Sequence, residues 1–115
     1  MREMLPMRPK ILIVDDDAQL VQALDELLTA EGYQVRAAFS AEQAMESALR
    51  EDSFHLLLCD LQLPGRNGIA LIRAMRDACP DTACVLFTGH GTIRSAVSAL
   101  KRGAIEYMTK PLKPR

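Results

Sequence analysis

Apolar and polar positions alternate in two different rhythms along this chain. Three short segments are apolar almost throughout: Lys10–Val14, His55–Cys59 and Ala83–Phe87. Each is too short for a helix and reads as a strand covered on both faces. Tyr33–Ala37 and Ile105–Thr109 instead alternate, as strands wetted on one side do, which places them at sheet edges. Between the strands the apolar residues recur at helical spacing. The first helix carries Leu20, Val21, Leu24, Leu27 and Leu28, and the second Ala41, Ala44, Met45, Ala48 and Leu49. The third carries Leu71, Ile72, Met75 and Ala78, and the fourth Ile93, Ala96, Val97 and Leu100. Asp17 is placed to cap the first helix and Gly32 to end it, while Ser40 and Gln43 have the spacing of a capping box. Pro80 and Gly103 close the third and fourth helices, and Pro64–Gly68 reads as a loop.

Strand and helix thus alternate four times before a fifth strand. That order implies right-handed crossovers and a parallel sheet with helices on both faces, an α/β doubly wound fold. Three buried strands between two edge strands fit the flavodoxin-like five-stranded order 2-1-3-4-5, which is adopted by analogy. In such sheets the functional crevice opens at the carboxyl ends of the strands, beside the switch between strands 1 and 3. Asp15, Asp16, Asp60, Thr88 and Lys110 all follow or end a strand, so the topology brings them to one rim.

Composition narrows the class. A chain of 115 residues is expected to form one domain, residues 10–115, behind a loose tail, residues 1–9, broken by Pro6 and Pro9. A net charge of −1 argues against direct contact with nucleic acid or an anionic membrane. No apolar stretch approaches the roughly 18 residues needed to span a bilayer, and the start has no signal-peptide core. Three cysteines without paired spacing point to a reducing, cytoplasmic setting. Cys59 and Cys84 fall in apolar runs, as small hydrophobes do. A zinc site from Cys79, Cys84 and His90 lacks the close pairs such sites use.

The chemistry lies in the acids. Two carboxylates ~4 Å apart repel by about 1 kcal/mol in water-like surroundings and by about 4 kcal/mol at an effective dielectric of 20. Acids gathered at one crevice therefore call for a cation or a proton. The donors are all oxygens, and few enough that Mg²⁺, which keeps water and phosphate ligands, suits them better than Ca²⁺. A carboxylate can also accept a phosphoryl group, and Asp60, alone at its strand tip, is the best placed. Lys110 offers a compact positive charge to the phosphoryl oxygens and Thr88 a hydroxyl. Blander roles exist for each alone: a turn acid, helix-capping acids, a turn hydroxyl, a solvated lysine.

Taken together, Val14-Asp15-Asp16, Cys59-Asp60 with Pro64-Gly65 and Gly68, Phe87-Thr88-Gly89 and Lys110-Pro111 resemble the receiver domain of bacterial two-component response regulators. The likeness covers residues 10–112, and the stretch 87–111 also resembles receivers that precede sigma-54-dependent activators of the nitrogen-regulator kind. The resemblance implies that Asp60 accepts phosphate from a phosphohistidine on a sensor histidine kinase. Asp16 and Asp60 would bind Mg²⁺ directly, Asp15 largely through water and Gln62 through its backbone carbonyl. Thr88 would move to the phosphoryl group, Tyr107 would swing inward, and Gln62 and His90 would tune dephosphorylation. A cis peptide is expected between Lys110 and Pro111. The protein would catalyse its own phosphorylation and dephosphorylation, and its fourth-helix and fifth-strand surface would control a transcriptional output domain. Tyr107 also reads as simple edge-strand packing.

The family's fifth helix has no counterpart before the chain stops at Arg115. Either a piece of a longer protein or a form that dimerises or swaps elements is expected, because the uncovered sheet face is an apolar patch suited to an output domain or a second receiver. The chief alternative is a receiver-like interaction module that is never phosphorylated. A phosphatase using Asp15 and Asp17 would want Thr or Val where Gln19 stands. A flavodoxin would need a hydroxyl-rich phosphate loop where the three acids are.

Overall fold

The computed structural model describes residues 8–50, 54–60, 62–63, 66–88 and 106–109. In chain order the elements are β1 (Lys10–Val14), α1 (Ala18–Ala30), β2 (Gln34–Ala38), α2 (Ala41–Arg50), β3 (Leu56–Cys59), β4 (Gln62–Leu63), β5 (Arg66–Asn67), α3 (Gly68–Ala78), β6 (Ala83–Thr88) and β7 (Glu106–Thr109). Five of the strands form one sheet in the order β2-β1-β3-β6-β7, every neighbour pair parallel. Since β6 and β7 are its fourth and fifth strands, this is the expected 2-1-3-4-5 order. The apolar runs occupy the interior and the alternating segments the edges.

Side chains leave a strand on alternate faces, and that rule divides the core in two. Ile11 and Ile13 of β1 pack with Val21 and Leu24 of α1, flanked by the half-buried Leu56 and Leu58 of β3. Leu12 and Val14 point the other way, into a larger cluster. There they join Leu57 and Cys59 of β3, Cys84 and Leu86 of β6, and the buried faces of α2 and α3. On α2 that face is narrow, made of Ala41, Ala44 and Ala48. Leu49, expected on it, is 71% exposed, because its place in the helical turn lies beyond the edge of the buried stripe. Leu27 on α1 is exposed for the same reason, whereas Ala78 is exposed as the last residue of α3.

Helix ends follow the sequence closely. The Asp17 carboxylate accepts from the backbone N–H groups of Gln19 and Leu20, capping α1. Gly32 ends α1 at φ +99°, a conformation that glycine adopts without a Cβ penalty. Its N–H donates to the Thr29 carbonyl and that of Tyr33 to the Leu28 carbonyl, the paired bonds of a Schellman stop. At α2 the Ser40 hydroxyl accepts from the Gln43 N–H at 3.2 Å, whereas the Gln43 side chain accepts from the N–H of Phe39 rather than of Ser40.

One segment departs from the sequence reading. Pro64–Gly68 was expected to be loop throughout, but Gln62 and Leu63 pair antiparallel with Asn67 and Arg66, and Gly68 is the first residue of α3. Two-residue strands are too short to show any periodicity. The expected fourth helix, the tail residues 1–7, and Lys110-Pro111 with the segment after it lie outside the described residues. No described helix is long and apolar enough to cross a membrane.

Candidate functional site

β1 and β3 are neighbours in the sheet, with Val14 level with Cys59. The next residue on each strand is an aspartate, so the topology itself sets Asp15 beside Asp60. The ladder bonds continue far enough to hold both: the Asp15 N–H donates to the Ala38 carbonyl at 3.1 Å and the Asp60 N–H to the Val14 carbonyl at 2.9 Å. Asp15 is fully buried, Asp60 is 8% exposed and Asp16 lies open to solvent. One carboxylate oxygen from each of the three falls within 4.8 Å of the others.

The acidic triplet therefore splits into two jobs. Asp17 caps α1, as helix-capping acids do, while Asp15 and Asp16 turn towards Asp60. The two jobs are linked, because the Asp17 N–H donates to Asp15 Oδ1 at 2.9 Å and fixes that carboxylate. Three acids so close, two of them buried, repel one another unless positive charge is supplied. Their oxygens offer hard ligands, and the exposed Asp16 leaves a route for solvent ligands, so the donor set fits a small divalent cation. Among the described residues no other group of three acids, cysteines or histidines is gathered so closely.

Thr88 ends β6 and is level with Thr109 of β7, while Tyr107 is level with Leu86. Since Cys59 is level with Leu86, the backbone of Thr88 ends one step beyond the level of Asp60 on the adjoining strand. Gln62 opens β4, two residues past Asp60. His90 and Lys110 lie outside the described residues.

Two neighbours of Asp60 carry more than the sequence indicated. Gly68 is packed so tightly against Asp60 that a Cβ built on it would fall on the Asp60 carbonyl oxygen, and would lie 3.0 Å from Cys59 Sγ. The glycine is required by close approach of two backbones, whereas the sequence marks it only as the end of a loop and as part of the receiver-like motif. The Cys59 thiol, read as a small hydrophobe, is within hydrogen-bond distance of the Asp60 carbonyl at 3.2 Å. Burial pushes this thiol well above its ordinary range, and electrostatic coupling to Asp60, Cys84 and Asp15 pushes it further. Burial also raises Cys84, to about 11, against the opposing pull of Arg76. Both thiols thus keep their protons at neutral pH and are poor metal ligands.

A parallel α/β sheet in the order β2-β1-β3-β6-β7, with an acid-rich crevice at its topological switch, defines a flavodoxin-like class of protein whose carboxylates could hold a divalent cation. Residues 11–115 match the model of the family described as the response regulator receiver domain, and the chain belongs to that family. It is 41% identical over 106 residues to the transcriptional regulatory protein CpxR of Escherichia coli K12, covering 92% of this chain and 44% of CpxR. The chain thus spans less than half the length of that curated relative. A CheY-like receiver domain from Methanospirillum hungatei superposes with a TM-score of 0.89 at 31% identity, over 95% of this chain and 86% of that one. A response regulator from Burkholderia pseudomallei, solved with a phosphorylated aspartic acid, calcium ion and citrate, gives 0.87 at 33% identity, over 91% and 61%. The fold is CheY-like, and the chain is a receiver domain of a two-component response regulator.

Proposed function

We propose that Asp60 is the phosphoacceptor of this receiver, and that residues 10–115 act as one unit around it. The observation that carries this reading is the gathering of the Asp15, Asp16 and Asp60 carboxylates at the carboxyl ends of adjacent strands. Asp15 is sealed from solvent and already accepts from the Asp17 N–H, whereas Asp60 sits at the lip of the crevice. An Asp60 carboxylate oxygen attacks the phosphorus of a phosphohistidine on a sensor histidine kinase. A P–O bond forms, the P–N bond breaks, and the imidazole departs with the bonding pair and takes a proton from solvent. Asp16 and Asp60 are the direct ligands we assign to Mg²⁺, with Asp15 acting through water and Gln62 through its carbonyl. When bound, the cation supplies the positive charge that phosphoryl transfer between anionic groups requires.

Lys110 is assigned to the phosphoryl oxygens, Thr88 to a hydrogen bond with one of them, and Gln62 and His90 to the rate of hydrolysis. The phosphoryl group adds nearly two negative charges and strong acceptors. Drawing Thr88 inward leaves space for Tyr107, and the population shifts towards a surface that an output domain or a second receiver reads. A cytoplasmic transcriptional regulator, of the sigma-54-activator kind on the resemblance of residues 87–111, is the whole protein this reading fits.

Incubation with phosphoramidate and Mg²⁺ tests the acceptor directly, since a P–N bond is again exchanged for P–O and ammonia is released. Intact mass spectrometry should show one phosphoryl group on the chain, none on Asp60→Asn, and none when the cation is chelated. Undiminished labelling of Asp60→Asn overturns the assignment.

A further inference from the structure

Asp60 is gripped through its backbone on both sides of its Cα. On one side its N–H donates to the Val14 carbonyl at 2.9 Å. On the other, its carbonyl oxygen lies in a slot walled by the bare Cα of Gly68 and by Cys59 Sγ. The Cys59 side chain is fully buried among Leu57, Met75 and Leu86, and its sulfur is 3.2 Å from the Asp60 carbonyl and 3.9 Å from that of Gly68. A thiol has one proton, and the shorter distance assigns it to Asp60. An aliphatic side chain would fill the same volume without offering a donor.

We infer that Cys59 is a positioning residue for phosphoryl transfer: its thiol proton holds the peptide from which the acceptor carboxylate hangs, with Gly68 as the opposing wall. This rests on the reading of Asp60 as phosphoacceptor. With the N–H and the carbonyl both held, only side-chain rotations separate the carboxylate from its reactive placement. Fixing the acceptor in advance removes part of the entropic barrier to attack. The same contact links the crevice to α3, because the slot closes only while Gly68 stays against Asp60.

The test compares labelling rates with phosphoramidate and Mg²⁺ in the wild-type chain, Cys59→Ala and Cys59→Ser. Losing one hydrogen bond at the acceptor should slow Cys59→Ala by about five- to tenfold. Cys59→Ser, which restores a donor, should recover most of that rate. Packing alone gives no such rescue, since both substitutions remove the sulfur and a hydroxyl fits an apolar cluster worse than a methyl. Equal rates for the two variants, whether fast or slow, overturn the inference. If the wild type is labelled and Asp60→Asn is not, the phosphoacceptor reading survives that failure; an unlabelled wild type brings down both. Should either variant fail to fold, infrared difference spectra of the wild type decide. Adding Mg²⁺ with beryllofluoride, a phosphoryl mimic, should displace an S–H stretching band as the Asp60 peptide adjusts, and unchanged S–H bands overturn the inference.

Discussion

At the amino ends of β1, β3 and β6 polar groups satisfy one another. The His55 N–H donates to the Lys10 carbonyl and the Lys10 N–H to His55 Nδ1, while the Ala83 N–H donates to the His55 carbonyl. The Thr82 hydroxyl donates to the Phe54 carbonyl at 2.7 Å, in a buried position. At the carboxyl ends of β1 and β3, by contrast, three like-charged carboxylates gather within 4.8 Å. One end is arranged as a structure arranges itself, with donors matched to acceptors. The other sets like charges side by side, where a bound cation would lower their repulsion. Among the described residues such a gathering of acids occurs at this rim, which is where a divalent cation would have its ligands.

The comparison breaks most visibly at Gly68. Gly68→Val puts a side chain into the Asp60 carbonyl, and overpacking of this kind costs about 3 kcal/mol. Urea unfolding should show that loss, together with slower phosphoramidate labelling. Native-like stability would mean that the wall against Asp60 yields easily. Next in size is the cation. At 100 times its dissociation constant, Mg²⁺ should raise the unfolding free energy by about 2.7 kcal/mol. Asp60→Asn should lose most of that gain. A variant at the amino end should keep it.

Thr82→Val is that variant. It preserves volume but removes the hydroxyl donor to Phe54, at a cost of about 1–2 kcal/mol in urea unfolding. Labelling by phosphoramidate should not change, because the bond lies at the opposite end of the strands. A matching fall in labelling would show the two ends to be coupled. A smaller effect has a sign that depends on conditions. Without divalent cations Asp16→Asn should stabilise the chain by about 1 kcal/mol, by relieving repulsion among the acids. With saturating Mg²⁺ the same change should destabilise it relative to wild type, because a ligand is lost.

Much of this was legible in the sequence, for physical reasons. Parallel strands buried on both faces must be apolar throughout, so β1, β3 and β6 announced themselves, and the acids directly after β1 and β3 had to meet at one rim. Local chemistry was legible too: Asp17 caps α1 and Gly32 stops it. What escaped depends on contacts between distant segments. Nothing in the sequence around Gly68 says that its missing Cβ makes room for a carbonyl eight residues earlier. Cys59 sits in an apolar run, where a thiol looks like any small hydrophobe until its proton is given an acceptor. The β4–β5 ribbon was missed because two residues show no period. Leu49 was misplaced because the buried stripe of α2, built on alanines, is narrower than its apolar composition.

The smallest effect at neutral pH concerns Cys84, near the start of β6, whose sulfur lies 3.7 Å from the Thr82 carbonyl. A protonated thiol is neutral, so burial makes the folded chain hold this proton more tightly than the unfolded one does. Between the ordinary thiol value of 9.0 and about 11 the folded state therefore carries more protons. The stabilisation is complete below the lower value and is lost as pH rises through the upper one. Arg76 is the charge that opposes burial here, so Arg76→Gln should move the titration of Cys84 upward, read by ¹³C NMR of labelled cysteine. Asp16→Asn should leave it in place, because the charges acting on Cys84 are Arg76 and Cys79 rather than the crevice acids. A Cys84 midpoint that follows Asp16 instead would mean that the field of the acid crevice reaches the amino end of the sheet, and the contrast between the two rims would then be one of hydrogen bonding alone.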